Sequence, residues 1–394
     1  MLQRSTMYRF PWTQVDTPGT WIEVTDSCDL SCPGCFRHQL EGHRPLEVIK
    51  EEILLCQELT NCERVAIAGG EPLIYPDLTE VVAFIAEQGM KPVLMTNGES
   101  LTPEYARDLK KAGLVQFYFH VDSGQQRPGW EDADEKKMNE LRDYYADMVA
   151  NIGDVTCGYN ITISRDNLSS VPDIIRWSIS RIDSVQSVSL IAIRGLPVSE
   201  GKEYRVGDEK IDLSRIRYPV DSAGDMDITS DEMYELISRT NPALIPCAYL
   251  NGTTDPSTNK FLVIAPIGCR DELYGVCGAR TIELSQVFNH FFRGRYTSLV
   301  RAPRPSISIF LASIPDGEVR KAFASYLKAL IRNPSKLFAR VSLQCINLVQ
   351  PTELIDNEKN FCDGCINLIP WKGKMVHSCA LDEYRIFGGP LIPL

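Results

Sequence analysis

No stretch of this 394-residue sequence approaches the roughly 18 consecutive apolar residues that a membrane-spanning helix requires. Residues 1–16 hold Arg4, Arg9 and Pro11 among scattered polar residues and lack the apolar centre of a secretory signal. A cytoplasmic address is therefore expected, with any membrane contact peripheral. Positive charge is scarce too: the net charge is −11, which disfavours nonspecific nucleic-acid binding. There is no internal repeat or low-complexity tract, and 44% apolar with 24% charged residues excludes an intrinsically disordered chain. Cysteine, by contrast, is abundant, with 13 copies. A disulfide scaffold would be small, secreted and headed by a signal sequence. In a reducing compartment, clustered cysteines are read as metal or cluster ligands.

Strand and helix signals alternate through the first half. Residues 20–25 (TWIEVT) form a β-rich run, and a helix follows from near Pro45 with Leu46, Ile49, Ile53 and Cys56 at helical spacing. Strands are predicted over 64–68, 91–96, 115–121, 155–164 and 185–193, with helices over 78–88, 135–150 and 171–182 between them. Thr102-Pro103 caps a further helix that stops at Gly113. About six βα units in 180 residues, with apolar strands of the parallel type, predict an α/β fold, a partial TIM-like (βα)6 barrel. The sequence divides into an N-terminal extension (1–17), the barrel core (18–195), a charged linker or insert (196–240) and a C-terminal cysteine-rich α+β domain (241–394). Within the linker, Thr229-x-x-Glu232 is a capping box that starts a short helix.

Cys28-Asp-Leu-Ser-Cys32-Pro-Gly-Cys35-Phe36 follows the first strand directly, with spacing C-x3-C-x2-C. Three thiolates in one loop can hold three irons of a cubane and leave the fourth iron open. A structural zinc site wants four ligands, and no clear fourth lies in the loop. One βα unit later stands Gly69-Gly70-Glu71-Pro72, where glycines allow close backbone approach to a ligand and Glu71 supplies an acceptor for a cationic group.

In that order the two motifs resemble the radical S-adenosylmethionine (SAM) superfamily over residues 21–195. The resemblance implies a [4Fe–4S] cluster on Cys28, Cys32 and Cys35, SAM held by Gly69, Gly70, Glu71 and Pro72, and reductive cleavage of SAM to a 5′-deoxyadenosyl radical that abstracts hydrogen from an unactivated carbon. It implies an electron donor such as ferredoxin or flavodoxin. By position it adds Phe36, Thr96, Asn97, Asp122, Ser123, Asn160, Thr162 and Arg194 to the SAM-facing set. Where many members carry an aromatic residue before the third cysteine, this chain has Gly34. The variant Cys-Pro-x-Cys-Phe, with residues 120–128, resembles the branch that contains archaeal tetraether synthase and the methyltransferase of methanopterin biosynthesis.

Near the C-terminus, Cys345, Cys362-x-x-Cys365 and Cys379 offer four thiolates, enough for an auxiliary [4Fe–4S] cluster or a zinc site. The arrangement is similar to the auxiliary-cluster (SPASM or Twitch) domains of radical SAM enzymes without matching the full SPASM pattern, and His377 stands near enough to replace one thiolate. Cys247, Cys269 and Cys277 form a looser set with no assigned role. Cys56, Cys62 and Cys157 read as core or surface thiols. Ten basic residues between 289 and 340, with apolar stripes at Phe288, Phe291 and Phe292, at Ile307, Ile309, Phe310 and Leu311, and at Phe323, Tyr326, Leu327, Leu330 and Ile331, suit either an ordinary solvated and buried helix pair or an anionic lipid. Three functions follow: radical chemistry on a lipid-like anionic substrate, modification of a peptide side chain, or an iron–sulfur carrier without SAM cleavage. The intact Gly-Gly-Glu-Pro argues against the third.

Overall fold

The computed structural model describes residues 2–33, 35, 41–193, 203–213, 227–270, 272–298, 308–311 and 314–394. The alternating apolar runs become six strands: β1 (Gly19–Thr25), β2 (Arg64–Gly69), β3 (Lys91–Thr96), β4 (Gln116–His120), β5 (Thr156–Ile163) and β6 (Ser187–Ala192). They pair in chain order and all in parallel. Helices α1 (Leu46–Thr60), α2 (Leu78–Glu87), α3 (Pro103–Lys111), α4 (Glu135–Ile152) and α5 (Val171–Ser180) make the crossovers. Local chemistry sets their ends: Thr102 Oγ1 accepts from the Tyr105 amide at 3.1 Å, with Pro103 in the first turn of α3. Val65, Ala66 and Ile67 of β2 are all fully buried, as a strand covered on both faces must be.

The C-terminal region does not stand apart from this barrel. Its strands β7 (Pro246–Asn251), β8 (Asn259–Ile264), β9 (Cys345–Val349), β10 (Leu368–Trp371) and β11 (Lys374–His377) join the same sheet. β9 lies parallel to β6, with Cys345 opposite Ser187, and β10 lies parallel to β1 through Leu368 and Thr20. Both open edges of the six-stranded core are thus extended by one region, and residues 350–367 connect β9 to β10 across the open side. The helix expected at Thr229 is α6 (Ser230–Thr240), where Thr229 Oγ1 accepts from the Glu232 amide at 3.0 Å. It packs on α5 and β8.

Three further helices are α7 (Ala279–Arg293), α8 (Gly317–Arg332) and α9 (Leu381–Phe387). Among the described residues no helix is long and apolar enough to cross a membrane. A second core gathers Phe10, Trp12, Tyr274 and Tyr326, and Cys247, Cys269 and Cys277 are buried in it. Cys56, Cys62 and Cys157 lie in the main core. The apolar stripes divide: Tyr326 of α8 and Phe310 are buried in this second core, with Ile309 and Leu330 packed against it, whereas Phe291 is 78% exposed, Phe292 72% and Ile331 83%; Ile307 lies outside the described residues.

Candidate active site

One cavity of about 580 Å³ runs through the barrel lumen, and all seven cysteines singled out by spacing line it: Cys28, Cys32, Cys35, Cys345, Cys362, Cys365 and Cys379. The other six do not.

At its mouth, the carboxyl ends of the strands, the Gly-Gly pair lines the cavity and also meets a packing demand. A Cβ on Gly69, whose φ is +136°, would stand 2.2 Å from the Thr25 carbonyl oxygen; one on Gly70 would stand 2.1 Å from that of Ser27. The Gly70 and Glu71 amides donate to those same carbonyls at 2.8 and 2.9 Å. The glycines therefore let the end of β2 press against the chain entering the cysteine loop. Pro72 opens a short 3₁₀ turn and does not line the cavity.

The Glu71 carboxylate lines the cavity but is already occupied. It accepts from Thr96 Oγ1 at 2.6 Å, the Leu73 amide at 2.9 Å and the Asn97 amide at 2.7 Å. Burial outweighs these donors and pushes its pKa up to about 7. Asn97 in turn donates to Asp29 at 2.6 Å and points the same Nδ2 at Cys28 Sγ, 4.0 Å away.

Across the mouth, His120 Nε2 bonds Asp122 Oδ2 at 2.7 Å and Thr162 Oγ1 at 3.0 Å. Burial would raise the Asp122 carboxyl, but His120, the Thr162 amide and Arg142 hold it below its ordinary value. Asn160 and Thr162 face the cavity. Ser123 does not: its amide and hydroxyl both donate to Glu135 Oε1, at 2.9 and 2.7 Å, behind the strand ends. A polar residue after a strand looks the same in sequence whichever way it turns. Phe36 and Arg194 lie outside the described residues.

Sequence reasoning assigned no role to four residues here. His120 has just been placed. Arg127, which lies in the 120–128 segment, is buried and clasps two strand ends, donating to Gln125 Oε1 at 3.0 Å, to the His120 carbonyl at 2.8 Å and to that of Asn97. Arg64, the first residue of β2, faces the lumen floor. Gln116, which opens β4 two strands away, gave no signal in the sequence beyond its position.

Burial, first, and then neighbouring acids and thiols raise the Cys28 thiol to about 11 and Cys32 to about 12. That environment opposes a nucleophilic thiolate and suits thiols that deprotonate onto a cation. Among the described residues no three His, Cys, Asp or Glu side chains stand close enough to hold a metal ion. The donor set fits an iron–sulfur cluster nonetheless: three thiols of one loop share a cavity with an amide beside Cys28.

The C-terminal cysteines differ among themselves. The Asn367 amide donates to Cys365 Sγ at 3.4 Å, and Cys379 Sγ lies 3.1 Å from Thr352 Oγ1. His377 lines the cavity with its Nδ1 unpartnered and its ring stacked on Phe361 at 4.2 Å. Burial lowers its pKa to about 4, so it is held neutral. Cys345 sits apart at the foot of β9, donating to Asn347 Oδ1 at 3.2 Å. None of the ten basic residues of 289–340 is among the cavity's described lining; Lys321, Arg332 and Lys336 pair with Glu318 and Glu272 instead.

Residues 22–175, the segment that supplies the cysteine loop and the braced Gly-Gly-Glu turn, match the model of the radical SAM superfamily. Over those residues the chain carries a radical SAM domain. It is 27% identical over 242 residues to the 7,8-dihydro-6-hydroxymethylpterin dimethyltransferase of Methanocaldococcus jannaschii, covering 58% of this chain and 45% of that protein. It is 26% identical over 166 residues to the AdoMet-dependent heme synthase of Nitratidesulfovibrio vulgaris, covering 39% and 42%. The chain thus spans less than half the length of these curated relatives. Among solved structures, Streptococcus suis SuiB bound to its precursor peptide SuiA superposes with a TM-score of 0.37 at 16% identity, over 45% of this chain and 40% of that one.

Proposed function

We propose that this protein cleaves SAM reductively and abstracts hydrogen from a polar small molecule held in the barrel lumen. The observation that carries the reading is the convergence on one cavity of the Cys28–Cys32–Cys35 loop, the Gly-Gly-Glu turn and the strand-end polar groups. Cys28, Cys32 and Cys35 would hold the [4Fe–4S] cluster, which when bound supplies the electron that splits the SAM sulfonium bond and releases a 5′-deoxyadenosyl radical. Glu71 offers negative charge where the SAM amine would sit, stiffened by its three donors. Asp122, fixed by His120, presents an acceptor for ribose hydroxyls, with Asn160 and Thr162 on the same wall. Asn97 Nδ2 lies within reach of the Cys28 sulfur.

Cys362, Cys365 and Cys379 would hold an auxiliary cluster, with His377 Nδ1 or Cys345 as fourth ligand. The amide and hydroxyl beside Cys365 and Cys379 are the hydrogen bonds that thiolate ligands take. The electron would come from a ferredoxin- or flavodoxin-type donor. The named relatives act on different molecules, so the substrate is argued from the lumen itself. Tyr118, Ser189 and Asn347 bond one another along one wall, and with Asn160 they stand among apolar groups such as Trp12, Met95 and Ile191, which suits a small molecule that carries both polar groups and apolar carbon. The exposed aromatics of α7 support at most a peripheral surface contact.

The test is iron quantification and EPR on anaerobically reconstituted, dithionite-reduced protein, with and without SAM, beside an assay for 5′-deoxyadenosine. The Cys28→Ala/Cys32→Ala/Cys35→Ala variant should lose about four irons per chain and all SAM cleavage. Retained cleavage would overturn the reading.

A further inference from the structure

The floor of the cavity is built unlike the interior of an ordinary (βα) barrel. There, inward side chains from alternate strands form layers of branched apolar residues. Here the lowest layer comes from the first residues of β2, β4 and β6, namely Arg64, Gln116 and Ser187, all buried and all lining the lumen. Gln116 Nε2 donates to Ser187 Oγ at 3.1 Å, but among the described residues Gln116 Oε1 has no donor. Arg64 is 6% exposed, and among the described residues its guanidinium makes no hydrogen bond or ion pair; Tyr118, Cys62, Glu63 and Cys365 act on it through charge alone, and burial outweighs them. The adjacent Glu63 carboxylate is spent elsewhere, accepting from Lys91 Nζ at 2.8 Å and from the Ser298 amide and hydroxyl at 2.7 and 2.9 Å.

The side chain is nonetheless given room. A Cβ at Gly19 would stand 2.7 Å from Arg64 Nε, so β1 carries glycine where the guanidinium crosses it. Burying an unpaired cation is strongly unfavourable unless a partner arrives. Arg64 is also the sole Lys or Arg among the cavity's described lining, whereas Glu71 and Asp122 lie at the mouth. One cation matches one monoanion, and a planar guanidinium matches a carboxylate through two parallel hydrogen bonds.

We propose that Arg64 binds a carboxylate of the substrate at the barrel floor, with Gln116 Oε1 accepting from a hydroxyl or amine beside it. This deepens the functional reading above and rests on it for the reaction, though not for the binding. The substrate enters carboxylate first. β2 climbs about 16 Å from Arg64 to Gly69, which leaves its reacting carbon toward the mouth.

Thermal unfolding of the anaerobically reconstituted full chain tests this, for wild type and Arg64→Met, alone and with lactate, succinate or 3-phenylpropionate. Propanol serves as the neutral probe and inorganic phosphate as the dianionic one. Without additive, Arg64→Met should unfold at the wild-type temperature or above, since an apolar side chain relieves a lone buried charge. At least one carboxylate should raise the wild-type Tm saturably by about 3 °C or more; the variant should lose that shift, and propanol and phosphate should give none. A variant Tm lower by more than about 5 °C would mark Arg64 as structural and overturn the proposal. So would phosphate acting in place of carboxylate, a carboxylate shift surviving in the variant, or a wild type that none of the carboxylates moves. Carboxylate binding without 5′-deoxyadenosine formation would remove the reaction and leave this site; the reverse would remove this site alone.

Discussion

At the carboxyl ends of the barrel strands, the polar side chains hold one another; at the amino ends, two polar groups lack a hydrogen-bond partner among the described residues. Glu71 has three donors, Asp122 is fixed by His120 and the Thr162 amide, and Arg127 clasps two strand ends. Arg64 and Gln116 Oε1 face the same cavity without partners among the described residues. A self-satisfied network is rigid before any ligand binds, as a site for an invariant cofactor should be. An unsatisfied pair is costly in the empty chain and repaid only by a ligand of matching chemistry.

The largest expected effect separates the two ends through their glycines. At Gly70 an added methyl meets backbone, the Ser27 carbonyl at 2.1 Å, and backbone cannot yield without breaking the amide–carbonyl hydrogen bonds that seat the chain entering the cysteine loop. Gly70→Ala should cost about 4 kcal/mol or more and lower the iron content, because Cys28 follows Ser27 directly. At Gly158 an added methyl meets side chains, Ser187 Oγ at 2.4 Å and Tyr118 at 3.0 Å, which can turn aside. Gly158→Ala should cost only about 1–3 kcal/mol and leave iron intact. Denaturant midpoints and iron counts on both variants check this; equal losses would erase the distinction between the ends.

Next in size is a pH effect confined to the mouth. The folded pKa of Glu71, about 7, lies above its unfolded value of 4.5, so between those pH values the native chain holds the extra proton. Stability from this group is present below pH 4.5 and lost as pH rises through 7, by at most about 3 kcal/mol at 1.36 kcal/mol per unit. Glu71→Gln has no proton to lose, but its amide nitrogen cannot accept, which costs about 1–3 kcal/mol at pH 5. The gap between the two proteins should narrow from pH 5 to pH 8 in denaturant titrations; a gap that widens would place the ionised carboxylate among stabilising charges instead.

The same contrast explains what could be read from sequence. The six core strands were legible because a parallel strand buried on both faces is a short apolar run, and turn chemistry such as Thr102-Pro103 marks the helix ends. The grouping of Cys28, Cys32 and Cys35, and of Cys362 with Cys365, was legible because their spacing is local, and the structure brings both groups to one cavity. Strands β9 and β10 gave no hint that they extend the two edges of the barrel, since a strand's period does not name its partner. Ser123 looked like a mouth residue because direction is invisible until Glu135 is folded behind it. Arg64 was invisible for a third reason: a charge opening an apolar strand usually caps it in water, and only the layer shared with Gln116 and Ser187 turns it inward.

The smallest expected effect is the most diagnostic of the floor. Removing a satisfied acceptor leaves its donors stranded, whereas removing an unsatisfied one leaves nothing behind. Gln116→Leu deletes an orphan oxygen and a single bond to Ser187, whose hydroxyl can turn to other lumen groups. Its stability change should therefore stay within about 1 kcal/mol of zero, although the residue is 3% exposed, where polar substitutions ordinarily cost more. Denaturant unfolding of the ligand-free chain measures this. A loss of several kcal/mol would mean that Gln116 is held by partners after all, and that the floor is braced like the mouth rather than left open for a substrate.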